Sequence, residues 1–172
     1  MELRFKPLSL ASLGTLETEV LCLPLFSDER PLRGAIGLID WRLCGRLSEL
    51  LVDGTMSGSV DEALLMPPPE RRLVAERLLI IGAGPRTAFD CRALLRRSLE
   101  RVLALRVRTA AFALPHASVP WLAPEEAIDL LLEACADKND LFDEVVVVDT
   151  PSAQRAMEPR IEYARRRALA EM

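Results

Sequence analysis

A run of apolar residues that ends in two glycines constrains the fold of this chain more than any other feature. Leu78-Leu79-Ile80-Ile81 shows no polar alternation and leads directly into Gly82-Ala83-Gly84. A strand with this pattern is buried on both faces, as in a sheet that helices cover on either side. The glycines permit a tight turn from strand to helix and a close approach of the backbone to a ligand or a neighbouring segment. The run therefore predicts an α/β fold.

Strands and helices alternate along the rest of the chain. The predicted strands span residues 2–8, 19–26, 63–66, 78–81, 108–114 and 144–149. The predicted helices span residues 36–50, 87–105, 124–135 and a terminal segment that begins at Thr150-Pro151. We see no linker or internal repeat that divides the chain. We therefore expect residues 1–172 to form one three-layer α/β/α domain with a mixed, mostly parallel central sheet.

Composition narrows the classes of partner. The formal net charge is −4, and acidic residues interleave with the arginine clusters, which argues against a nucleic-acid surface. No apolar stretch is long enough to span a membrane, and the N-terminus lacks the apolar core of a signal peptide. The scattered cysteines are expected to be buried thiols in a reducing cytoplasm; they are Cys22, Cys44, Cys91 and Cys135. We expect a cytoplasmic protein with no nucleic-acid or membrane partner.

Several short motifs follow one another in an order that resembles the N-terminal domain of the leucine (cytosol) aminopeptidase family. They are Leu32-Arg33-Gly34, the segment 45–51, Gly54-Thr55-Met56-Ser57-Gly58, the segment 64–67 and the segment 77–84. This domain is related to the macro domain, so the resemblance implies a macro-domain-like fold. In that family the metal ions and catalytic residues belong to a separate C-terminal domain, whose signature does not occur in this sequence. The resemblance therefore implies no catalytic residue, no metal site and no cofactor here.

A second segment looks like part of a macro domain. Residues 111–114, the loop 115–121 and the helix start at 124–127 resemble its strand, phosphate loop and following helix. In this chain the loop has no glycine, and Pro115 and Pro120 have no N–H group to donate. The sequence therefore predicts that ADP-ribose binds weakly or not at all.

Candidate ligand-binding residues come from the two segments that follow predicted strands. They are Gly82, Ala83, Gly84, Arg86, Thr87, His116 and Ser118. The alternative is that both segments have a structural role and bind no ligand. The glycines would then form a turn, because Thr87 occupies the place of the third glycine in a dinucleotide fingerprint. His116 would only pack within its loop, because the sequence offers it no evident orienting acid.

Three functions stay open from the sequence alone. The first is a non-catalytic module that binds a protein partner, such as a separately encoded catalytic subunit, or a second copy of itself. The second is a macro-like module that binds a nucleotide or another phosphorylated metabolite. The third is an enzyme that acts through the loop containing His116, which a carboxylate beside the imidazole would favour.

Overall fold

The computed structural model describes residues 1–69, 72–138 and 140–170. Its strands are β1 (Glu2–Pro7), β2 (Val20–Phe26), β3 (Ala63–Met66), β4 (Leu78–Gly84), β5 (Thr109–Ala113) and β6 (Glu144–Asp149). Its α-helices are α1 (Leu10–Gly14), α2 (Gly34–Arg42), α3 (Arg46–Val52), α4 (Cys91–Ala104), α5 (Pro124–Cys135) and α6 (Pro151–Ala170). A short 3₁₀ turn, Pro115–Ser118, follows β5.

The strands form one mixed sheet in the order β1-β6-β5-β2-β4-β3. All neighbouring pairs are parallel except β3 and β4, which pair antiparallel at one edge. The predicted mixed, mostly parallel sheet is therefore confirmed. The four neighbouring strands β6, β5, β2 and β4 all run in the same direction. Their carboxyl ends therefore lie along the same edge of the sheet.

Side chains that alternate along each central strand build two cores. Leu79 and Ile81 pack in a core with α4, α5 and α6, whereas Leu78 and Ile80 pack in a core with α1, α2 and α3. All seven residues of β4 are buried. An unbroken apolar strand is therefore the expected solution for a sheet that is covered on both faces.

The segment predicted as one helix over 36–50 is two helices. Cys44 and Gly45 have φ angles of +56° and +83° and interrupt the helical path between α2 and α3. The carboxylate of Asp40 then caps the new helix by accepting hydrogen bonds from the amides of Leu47 and Ser48. The spacing of apolar residues survives the break, since both helices face the same core, and periodicity alone could not show it.

Two smaller predictions also need correction. Cys44 is exposed, because it lies in the turn between α2 and α3, whereas the other three cysteines are buried as expected. Helix α1, capped by Ser9, was missed because its five residues are too short to show a helical period. No helix in the described ranges is long and apolar enough to cross a membrane.

Candidate functional site

A crevice lies where the carboxyl ends of the central strands meet. The chain leaves β2 toward α2 on one face of the sheet and leaves β5 toward α5 on the other face. Neighbouring strands whose connections diverge in this way form a topological switch point, the usual place for a ligand in an open α/β sheet. The crevice at this point is lined by Leu8, Pro24, Arg33, Gly34, Ala35, Ile36, Ala113, Leu114, Ala117, Ser118, Val148 and Asp149.

One wall of the crevice is the N-terminus of α2. The N-cap position is Arg33, whose side chain makes no capping hydrogen bond, and the first intrahelical bond runs from the Gly37 amide to the Arg33 carbonyl. The amides of residues 34–36 therefore have no partner within the helix. The helix dipole adds partial positive charge at the same place. Arg33 itself is exposed, lines the crevice, and forms no ion pair within the described part of the chain.

The opposite wall is the turn Pro115–Ser118, which places Ala117 and Ser118 against the crevice. His116, in the same turn, does not merely pack within its loop. Its Nε2 lies 3.2 Å from Oδ2 of Asp149, and the two side chains are only 7% and 5% exposed. The expectation that His116 lacks an orienting acid is therefore wrong. Asp149 ends β6, and the parallel arrangement of β5 and β6 brings it beside the turn that follows β5.

The crevice is almost closed. Its cavity measures about 20 Å³, which is close to the space that one water molecule needs. A Cβ atom added to Gly34 would lie 4.0 Å from Cβ of Ala117, so the two walls approach van der Waals contact. A larger groove of about 680 Å³ lies on the α2–α3 surface beside Trp41, but it is open and none of its lining residues belongs to a strand. Position in the fold therefore favours the small crevice as the candidate site.

The structure separates the predicted site residues into two groups. Ser118 lines the crevice, and His116 lies behind it in contact with Asp149, which also lines the crevice. Gly82, Ala83 and Gly84 are instead buried at the end of β4. The Gly82 amide donates to the Glu62 carbonyl at 2.8 Å, and the Gly84 amide donates to the Gly58 carbonyl at 2.8 Å. These glycine amides therefore already have partners within the protein.

Arg86 and Thr87, the two polar residues after β4, are not among the residues that line the crevice. Arg86 is engaged with Asp28, whose Oδ1 accepts hydrogen bonds from the Arg86 amide and from its Nε. The next predicted residue, Thr87, is exposed. A ligand-binding role for residues 82–87 stays a prediction.

Most of the crevice residues were missing from the sequence-based candidates, among them Arg33, Gly34 and Asp149. Arg33 and Gly34 precede a predicted helix, and Asp149 ends a predicted buried strand. The position of Asp149 at a strand end was a usable signal, because such ends carry ligands in α/β proteins. The order of the strands, which brings β6 beside β5, could not be deduced from the sequence.

The described residues contain no group of three or more His, Cys, Asp or Glu side chains arranged to hold a metal ion. Burial raises the pKa of the Cys22 thiol to about 12, and burial also raises that of Cys135 to about 11. Both thiols are therefore protonated near neutral pH and are poor nucleophiles.

Comparison with known proteins supports the fold. No family model matches the chain, and no curated protein matches it. A variant of the Oceanobacillus iheyensis macrodomain has a TM-score of 0.68 at 14% sequence identity, with 90% of this chain and 89% of that chain covered. The Trypanosoma brucei macrodomain in complex with ADP has a TM-score of 0.70 at 14% identity, covering 91% of this chain and 67% of that chain.

A variant of tomato leucine aminopeptidase is also similar, with a TM-score of 0.60 at 14% identity. The match covers 95% of this chain but only 36% of the aminopeptidase chain. Identities this low show the fold alone. The chain has a macro-domain-like α/β/α fold, as the sequence predicted.

Proposed function

We propose that this chain is a binding module for a small molecule that carries a terminal phosphate group. The observation that carries the proposal is the N-terminus of α2, which has no side-chain cap and whose residues Arg33 to Ile36 line the crevice. Unpaired amides at a helix N-terminus bind phosphate oxygens directly, and the helix dipole favours the negative charge. Arg33 adds a planar cation that matches phosphate geometry.

The charges and donors across the crevice indicate how such a ligand would lie. Ser118 lines the wall opposite α2 and makes no hydrogen bond in the described ranges, so its hydroxyl is a further candidate donor. The Asp149 carboxylate lies at the crevice as well and would repel a phosphate placed directly on it. We therefore place the phosphate at α2 and a hydroxyl or amino group of the ligand toward Asp149.

Solved structures with a similar fold support the same class of function. The Trypanosoma brucei macrodomain and the Oceanobacillus iheyensis macrodomain each have a structure with ADP. These ligands belong to those proteins. They support binding of a phosphorylated ligand better than they support a role as the regulatory partner of an aminopeptidase.

The protein-interaction function has less support. It derives from the resemblance to the aminopeptidase N-terminal domain, and the similar aminopeptidase structure is matched over 36% of its chain. The exposed Trp41 and Trp121 are available to a partner, since their exposed fractions are 71% and 61%. Because exposed tryptophans on different surfaces do not define one interface, this function is a second candidate.

Isothermal titration calorimetry tests the proposal directly. We expect ADP and inorganic phosphate to bind the wild-type chain, and we expect Arg33→Ala to weaken ADP binding about tenfold. Arg96→Ala is the matched control, because Arg96 is exposed on α4 and its ion pair among the described residues is with Glu100 on the same helix. Equal affinities in the wild type and in Arg33→Ala would contradict the proposed site.

A further inference from the structure

We infer that the contact between His116 and Asp149 is a latch that holds the crevice closed until a ligand enters. This inference rests on the proposed function, because closure matters only if a ligand must pass between the walls. It explains how a crevice with a cavity of about 20 Å³ can belong to a protein that binds molecules larger than water.

The two walls differ in how firmly they are held. On the α2 side, Ala35 and Ile36 are buried in the core beneath the helix, so this wall cannot move without disturbing the core. On the turn side, Leu114, Pro115 and Val119 are buried, but Ala117 is exposed. Movement that opens the crevice is therefore expected in the turn and not in α2.

One polar contact ties this turn to the sheet. Within the described residues, no hydrogen bond or ion pair other than the contact of His116 with Asp149 joins the side chains of 115–118 to another element. The amide of Val119 donates to the His116 carbonyl at 3.1 Å, but that bond lies within the turn. If His116 separates from Asp149, Ala117 and Ser118 are free to move away from α2.

Asp149 is a fixed anchor for this contact. Its Oδ1 accepts a hydrogen bond from the Thr150 amide at 2.8 Å, and its carbonyl accepts from the Leu8 amide at 2.9 Å. The Gln154 side-chain amide donates to the same carbonyl at 2.8 Å. With Asp149 held on its strand and at the start of α6, the mobile partner of the pair is His116.

The latch is also built to release. The Nδ1 atom of His116 is buried without a hydrogen-bond partner in the described structure. A buried polar atom without a partner disfavours the state in which it is buried. Opening would expose this atom to water and so relieve that cost.

Amide hydrogen exchange tests the latch without any ligand. We expect His116→Phe, which retains a buried ring but loses the contact with Asp149, to raise the exchange rate of the Val119 amide about tenfold. His116→Gln retains a side-chain N–H that can reach Asp149, so its Val119 exchange should stay within about threefold of the wild-type rate. Exchange at Val119 that is equal in all three proteins would overturn the latch.

A control variant separates local opening from general destabilisation. Asp40→Asn alters another carboxylate that is only 9% exposed and that caps α3 away from the turn. Its effect on Val119 exchange should match its effect on the amide of Leu94, which lies on α4. In His116→Phe, by contrast, Val119 should accelerate much more than Leu94, and equal acceleration of both amides would overturn the latch.

Binding of ADP then tests the consequence of opening. If closure lowers the fraction of molecules that can bind ADP, His116→Phe should bind ADP more tightly than the wild type, by about threefold or more. Weaker ADP binding together with faster Val119 exchange would overturn the latch, because the contact would then position the wall for the ligand. If neither ADP nor inorganic phosphate binds the wild type, the proposed function fails, and the exchange result alone decides whether the contact holds the turn.

Discussion

The backbone of Gly82 lies directly against that of Ser59. A Cβ atom on Gly82 would lie 1.8 Å from the Ser59 carbonyl oxygen. At the end of the same strand, Gly84 has a φ of +75°, and a Cβ atom there would lie 2.8 Å from a methyl group of Val60. The glycine pair at the end of β4 therefore serves the packing of the loop 57–62 on the sheet.

We expect Gly82→Ala to destabilise the protein by about 3 kcal/mol or more, because backbone atoms must move to admit a methyl group. Gly54→Ala is the control, since Gly54 has a φ of +79° but open space around its Cβ position. That variant should cost only about 1 kcal/mol for the left-handed backbone. Urea unfolding measures both, and similar losses in the two variants would contradict the steric explanation.

The contact of His116 with Asp149 changes the expected effect of removing the histidine. Loss of the imidazole leaves a carboxylate oxygen of Asp149 buried without its partner. We expect His116→Ala to cost about 1–3 kcal/mol and to lower the melting temperature, in contrast to a histidine that only packs on a surface loop. A melting temperature equal to that of the wild type would show that the pair contributes nothing to stability.

Stability should depend on pH through Glu62. Hydrogen bonds from the backbone amide of Ser57, with further bonds from Gly58 and Ser59, hold the pKa of the Glu62 carboxyl below its usual range. A lowered pKa in the folded state stabilises the fold above the ordinary glutamate value of about 4.3, and this stabilisation is lost as pH falls through the folded-state pKa.

Glu62→Gln should therefore reduce the free energy of unfolding at about pH 7 and have a smaller effect at about pH 3. Glu49→Gln is a suitable control, because Glu49 is exposed and its ion pair with Arg46 lies on the surface of α3. Urea unfolding at both pH values gives the comparison. An equal loss in Glu62→Gln at the two pH values would show that ionisation of this carboxylate is not the cause.

ADP-ribose should bind more weakly than ADP. ADP ends in a phosphate with three free oxygens, which the α2 amides and Arg33 can surround, whereas both phosphates of ADP-ribose lie within the chain of the molecule. Pro115 also offers no N–H to wrap a pyrophosphate on the opposite wall. Calorimetry that gives ADP-ribose a dissociation constant in the low micromolar range would contradict this prediction.

We expect no aminopeptidase activity from this chain, with or without added manganese or zinc. A two-metal hydrolase needs several converging ligands to hold its ions, and the described residues contain no such group. Release of the chromophore from a leucine anilide substrate is the measurement. Metal-dependent release that persists through repeated purification would overturn the expectation.

Much of the fold follows from local patterns. The strand Glu144–Asp149 and the helix Pro124–Cys135 lie where the sequence predicts them, because an apolar run and a proline in the first helical turn are strong local signals. The break at Cys44 and Gly45 escaped prediction, since two residues in the left-handed region leave the apolar spacing unchanged.

The candidate site was harder to predict than the fold. His116 and Asp149 are far apart in sequence and meet only because β6 pairs with β5. Likewise, Arg33 acquires its role from the helix that begins beside it at the switch point. Both relationships depend on strand order, which no pattern within one segment determines.

Backbone amide chemical shifts test the proposed site most directly. On titration of the labelled chain with ADP, the amide signals of Gly34, Ala35 and Ile36 should be the first to shift, because these groups donate to the phosphate. Their shifts should reach a plateau as the site saturates. The Arg33→Ala variant should need about ten times more ADP for the same shifts, whereas Arg96→Ala should match the wild type. Shifts confined to the amides of residues 82–87, or no saturable shift at all, would contradict a phosphate site at the N-terminus of α2.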